Sequence, residues 1–221
     1  MKSRQWLLIA AGVIVIVAGA IFYFLNQSNA PTISGTASTG ASTVSATDLM
    51  VAGPLGDKAL GDPKAPNTVI EYASMTCTHC QRFNAEVFKP FKAKYIDTGK
   101  VYYIFREFPL DPLAKSASAL ARCAPPDAYF PIVDLLFEKQ DQWAFVPDPL
   151  TGLRTLMKQV GFSQDSFDAC LKDPKIASGL DEVRQRASDR FGVTATPTFF
   201  FNGKREEGEQ SMAQIDKLLG G

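Results

Sequence analysis

The chain has 221 residues, with 23 basic side chains against 23 acidic ones, four cysteines and a single histidine. An apolar fraction of 46% with 21% charged residues excludes wholesale disorder, and balanced charge excludes the basic footprint of a nucleic-acid binder. Four cysteines are too few for a disulfide-built miniature fold and one histidine cannot supply a multi-histidine metal site, so any chemistry runs through sulfur.

Lys2 and Arg4 precede an uncharged, apolar run of 20 residues from Trp6 to Leu25. As a helix it would be about 30 Å long, the thickness of a bilayer core. Residues 1–27 therefore read as an N-terminal transmembrane anchor. The alternative is a cleaved signal peptide, but the apolar run is long for one, and Pro31 follows the best small-residue site. Basic residues before the span place the rest of the chain outside the cytoplasm. Residues 28–47 carry no charge and consist mainly of Ser, Thr, Ala and Gly, the composition of a flexible linker. The linker lacks heptads, so a monomer is expected.

Apolar runs with punctuation begin at Asp48. Thr68–Ala73 is rich in strand formers, and residues 80–97 repeat Phe83, Val87, Phe91 and Tyr95 every four positions, a helix that Pro90 should kink. Val101–Phe105 reads as a buried strand. A helical block follows over residues 113–191. Its signals include Asp148-Pro149 as a helix start, Ser163 as a cap flanked by Phe162 and Phe167, and Gly192 as a stop. Strands resume at Thr198–Phe201, turned by Asn202-Gly203, and Ser211 with Gln214 forms a capping box for a last helix. The order predicts an α/β core whose two parts, residues 48–112 and 192–221, flank a helical insertion.

Cys77-Thr78-His79-Cys80 lies where the first long strand gives way to the first long helix. At a helix start the first sulfur meets unpaired N–H groups and the positive end of the helix dipole, both of which stabilise a thiolate. A stabilised thiolate favours the reduced form and makes the disulfide a strong electron acceptor. His79 stands between the sulfurs and would add a positive charge or a hydrogen bond. A zinc site lacks its remaining ligands, and haem attachment fails because Gln81 stands where histidine is needed. A plain structural disulfide closing so short a loop would stabilise little. No metal and no cofactor is expected. Far along the chain, Thr196-Pro197 precedes the Phe-rich strand; alone, such a proline is an ordinary strand-edge residue.

Taken in order, strand, Cys-x-x-Cys, helix, helical block and Thr-Pro before a hairpin resemble the DsbA family of extracytoplasmic thiol–disulfide oxidoreductases, with a thioredoxin-like fold. The resemblance covers about residues 57–221. It implies that Cys77 is the sulfur attacked by a substrate thiolate and Cys80 the buried partner. It matches His79 to a thiolate-stabilising histidine and Pro197 to a cis-proline packed against the disulfide. Thr196 would then offer its backbone to a substrate peptide, beside Thr78. Thr78 departs from the proline of the best-known member. Glu71 matches a buried acid that helps proton transfer, against the plainer reading of a rim carboxylate on a strand. Cys123 and Cys170 are either unpaired buried thiols or, given export and a second disulfide in some relatives, bonded to each other.

The resulting expectation is a membrane-tethered oxidase that donates the Cys77–Cys80 disulfide to reduced exported proteins. A DsbB-like membrane partner would reoxidise it. Two rivals stand beside this reading: a reductase or isomerase of the same fold, and a non-redox tethered chaperone.

Overall fold

The computed structural model describes residues 44–220. The expected anchor, and the linker up to residue 43, lie outside the described residues. Among the described residues no helix is long and apolar enough to cross a membrane.

Five strands form one sheet in the order β1-β3-β2-β4-β5, namely Lys58–Leu60, Asn67–Ala73, Val101–Glu107, Thr198–Phe201 and Lys204–Glu207 in chain order. β2 and β3 run parallel, with Glu71 opposite Phe105, while β1, β4 and β5 pair antiparallel with their neighbours. Parallel neighbours need a crossover, and the run of helical residues 78–96 supplies it.

That run, α2, is not a uniform α-helix. Turns Thr78–Phe83 and Lys89–Phe91 alternate with π segments Asn84–Phe88 and Lys92–Ile96. Pro90 has no N–H to donate and its ring crowds the carbonyl four residues back; the wider turns on either side relieve that conflict. The sequence period put Val87 on the buried face. A π turn takes five residues, so burial passes instead to Phe88, only 6% exposed.

Period-two alternation sends the sheet's side chains to two cores. Val69, Tyr103, Phe105, Phe199 and Phe201 face α2 and the inserted helices. Ile70, Tyr72, Ile104 and Phe200 face the other side, where a short helix α1 (Ala46–Met50) and the long helix Pro174–Phe191 cover them. α1 starts inside the stretch read as linker, with Ser45 as its cap. Asn202 and Gly203 both have positive φ, 50° and 88°, the geometry of the tight turn that joins β4 to β5.

The insertion comprises α3 (Pro112–Cys123), α4 (Tyr129–Glu138), α5 (Gln140–Trp143), α6 (Pro149–Gln159), α7 (Gln164–Leu171) and α8 (Pro174–Phe191). Asp111, Asp148, Ser163 and Asp173 accept from backbone N–H groups at four of its helix starts. Ser211 and Gln214 make the expected capping box at the start of α9 (Met212–Leu218).

A buried ion pair fastens the insertion to the sheet. Glu107, at the end of β3, accepts from Arg122 at 2.5 and 2.7 Å and from the Tyr129 hydroxyl at 2.5 Å. The Glu107 side chain is 0% exposed and that of Arg122 is 5% exposed. Cys123 and Cys170 are joined by a disulfide that ties α3 to α7, with Cα atoms 6.1 Å apart. Closing this loop of 47 residues is worth about 4 kcal/mol in the chain-entropy model.

Candidate active site

β2 ends at Ala73 and the chain crosses a short loop to Cys77, the N-cap of α2. There the Cys77 sulfur accepts from the Cys80 backbone N–H at 3.3 Å. A helix start leaves its first N–H groups without intrahelical partners, which is why a sulfur at this position gains them. From the far end of the chain, the loop before β4 brings the cis Thr196–Pro197 bond to the same point. As a thiol, Cys77 donates to the Thr196 carbonyl at 3.2 Å. The Thr196 hydroxyl is buried without a hydrogen-bond partner among the described residues. The structure therefore brings Cys77, Cys80, Thr196 and Pro197 together, with Thr78 exposed on the first turn.

The two sulfurs differ sharply. Cys77 is lowered from the usual 9.0 to about 5. Hydrogen bonding from the Cys80 thiol is the largest cause, and the backbone N–H groups of Cys80 and His79 act in the same direction against burial. Cys80 is 0% exposed, and burial first, then the bond to Cys77 and its charge, push its thiol well above the ordinary range. One sulfur is thus a good nucleophile and leaving group, and the other holds its proton.

Glu71 lies on β2, on the face that packs against α2, and is only 2% exposed. The plainer reading of a rim carboxylate is therefore corrected: an inward position in a two-sided core leaves the side chain no water. Its carboxylate accepts from the Tyr103 hydroxyl at 2.6 Å. Burial raises it to about 8, opposed by the Tyr103 bond and helped by the Cys77 charge.

His79 is placed differently from the expectation. Its imidazole is exposed and pairs with Glu209, to which Arg82 also donates at 2.9 and 2.6 Å. What reaches the Cys77 sulfur is the His79 backbone N–H.

Two supports of the site come from residues not singled out from the sequence, although Asp111-Pro112 repeats the helix-start pattern of Asp148-Pro149. Gln140, on α5, donates to the carbonyls of Met75 at 2.8 Å and Cys77 at 3.2 Å, and so holds the active loop from the inserted block. Asp111 caps α3 and accepts from the Thr76 hydroxyl at 2.5 Å, a second tie between insertion and loop. Among the described residues no group of His, Cys, Asp and Glu is arranged to hold a metal.

A thioredoxin family model matches residues 55–220. The crystal structure of Wolbachia pipientis alpha-DsbA1 matches with a TM-score of 0.71 at 38% identity, covering 79% of this chain and 96% of that one. A putative protein-disulfide oxidoreductase of Rickettsia bellii is 33% identical over 168 residues. The chain belongs to the DsbA-like family of protein-disulfide oxidoreductases. The match to the Rickettsia protein covers 74% of this chain and 64% of the relative's length. BdbD of Bacillus subtilis shares the fold, with a TM-score of 0.64 at 23% identity, covering 75% and 94% of the two chains.

For this DsbA-like protein the low Cys77 value has a thermodynamic consequence. A folded-state value of about 5, below the usual 9.0, stabilises the reduced fold fully above about pH 9. That gain declines as pH falls and is gone below about 5. At neutral pH it is about 3 kcal/mol, from two pH units at about 1.4 kcal/mol each. Denaturation of reduced and oxidised protein should show the reduced form favoured at neutral pH, with the advantage lost once pH is below about 5. A pH-independent difference would contradict the assignment of Cys77 as the acidic thiol.

Proposed function

We propose that the chain is a thiol–disulfide oxidase acting outside the cytoplasm, with reduced exported proteins as substrates. The observation that supports it most is the split between Cys77, held acidic at the helix start, and Cys80, buried and reluctant to ionise. A disulfide whose reduced form is so stabilised takes electrons readily.

A substrate thiolate attacks the Cys77 sulfur, the Cys77–Cys80 bond breaks, and the electron pair leaves on Cys80, which takes up a proton. A second substrate thiolate then attacks the substrate sulfur of the mixed disulfide. The new substrate disulfide forms and Cys77 leaves as a thiolate, stable at neutral pH because its value is about 5. The backbone at Thr196 and Pro197, beside the reacting sulfur, suits an extended substrate segment pairing in strand fashion. The apolar run 6–25 would tether the domain to a membrane, and a DsbB-like quinone-linked membrane protein would return Cys77 and Cys80 to the disulfide.

Acid-quench thiol trapping in growing cells tests the direction of flow. The Cys77–Cys80 pair should be found mainly as the disulfide. A pair found mainly as dithiols would make the protein a reductase or isomerase instead. A pair that never exchanges would leave only the chaperone reading.

A further inference from the structure

Resting on the exchange reaction proposed above, one step lacks a route. Cys80 and Glu71 are both sealed from solvent, at 0% and 2% exposure. When the dithiol is reoxidised, the Cys80 thiol must lose its proton before its sulfur can attack. Glu71 is the acid whose charge reaches Cys80, but with a value of about 8 it is itself protonated at neutral pH. Glu71 must therefore give a proton to water before it can accept one.

The packing offers one path. Glu71, Tyr103, Asn84 and Asp134 border a small cavity of about 10 Å³, the space of a single water. The rest of its wall is mostly phenylalanine, so these four supply the polar groups. Asn84, on the first π segment of α2, donates to Asp134 Oδ1 at 3.0 Å. Asp134, on α4, is half-buried and also borders an open groove of about 610 Å³ along β1. Phe88 and Phe130 line both spaces, so the cavity and the groove share a wall in which Asp134 is the ionisable member.

We propose that Asp134 is the outer station of a proton route that joins buried Glu71 to solvent through this cavity. In the resolving step Glu71 first passes its proton outward, toward Asp134. The Cys80 thiol then gives its proton to the Glu71 carboxylate. The Cys80 thiolate attacks the Cys77 sulfur of a mixed disulfide, the Cys77–Cys80 bond forms, and the electron pair leaves on the departing thiolate. Asp134 acts on the chemistry only through Glu71.

The charges around Asp134 suit an exchanging acid. Burial raises it above the ordinary carboxylate range, Asn84 and then Lys89 and Lys92 of α2 oppose that, and Glu138 of its own helix adds to it. Asp57, Lys58 and Asp127 stand along the same groove. At the inner end Glu71 meets the Tyr103 hydroxyl and lies within electrostatic reach of Cys77 and Cys80.

The full chain, reduced and mixed with oxidised glutathione, tests this in two observable steps. Cys77 first forms a mixed disulfide with glutathione; Cys80 then displaces the glutathione thiolate. In Asp134→Asn the first step should be unchanged and the second slowed ~100-fold, the low end for loss of a proton-transfer group. Small diffusible bases such as imidazole, and the variant Asp134→Glu, should restore the second step, which a purely structural role for Asp134 would not allow. An unchanged second step, or a slowed one that neither restores, overturns the proposal. If the wild-type protein itself does not exchange with glutathione, the proposed function fails, a result distinct from failure of the route alone.

Discussion

A Cys80→Ala variant is expected to accumulate mixed disulfides with its substrates on Cys77 and to lose catalytic turnover down to the uncatalysed rate. Cys77 keeps its place at the start of α2, and the backbone N–H groups there still meet its sulfur. It still exchanges with a disulfide, but no second sulfur resolves the product. The same substitution removes the largest cause of the low Cys77 value, so the remaining thiol should titrate above about 5. Both results come from one sample: mass spectrometry of trapped adducts and the pH dependence of Cys77 alkylation. Trapped adducts with an unchanged titration would mean that the helix start, and not Cys80, sets the acidity of Cys77. Absence of any adduct would argue against exchange altogether. Cys77→Ser should abolish both.

A second large effect is expected far from the sulfurs. Glu107→Ala should destabilise the fold by about 3–5 kcal/mol, because it leaves the Arg122 charge buried and the Tyr129 hydroxyl unpaired. The Arg122 side chain is 5% exposed and cannot turn to water for compensation, although it also donates to the Leu55 and Gly56 carbonyls. Removing both charges, as in Glu107→Leu with Arg122→Met, should cost much less than the single change, since no lone charge remains. Urea denaturation of the two variants separates the cases. Equal losses would show that the pair matters for its packing and not for its charge. The block fastened by Glu107 carries Gln140, which holds the loop of Cys77, so a loosened insertion should also slow exchange.

Much of this site was legible in the sequence because local chemistry dictates it. A cysteine at a strand-to-helix junction meets free N–H groups whatever the rest of the protein does, whereas the place of Thr196-Pro197 beside it came only through the family resemblance. The caps at Asp148, Ser163 and Ser211 act over three residues and stand where the sequence placed them. The Asn202-Gly203 turn needs only two positive φ values.

What the sequence concealed depends on partners distant in the chain. β1, Lys58–Leu60, is three residues long with only intermediate burial, so it carries no apolar alternation, and pairing with β3 makes it a strand. The π segments around Pro90 shift burial from Val87 to Phe88, which a four-residue period cannot foresee. Gln140, Asp111 and Glu209 resemble ordinary helix or loop polar residues until the fold sets them against residues 35 to 130 positions away. His79 shows the converse. Its position between the sulfurs suggests that the imidazole acts on them, yet Glu209 and Arg82 claim the ring and leave the backbone N–H to do so.

The central claim is that the acidity of Cys77, set against the buried thiol of Cys80, makes their disulfide oxidising. The equilibrium constant of this pair with reduced and oxidised glutathione measures it directly. A potential near that of a strong oxidant, about −120 mV, is the predicted result. A potential near about −270 mV, that of a thioredoxin-type reductant, would contradict it.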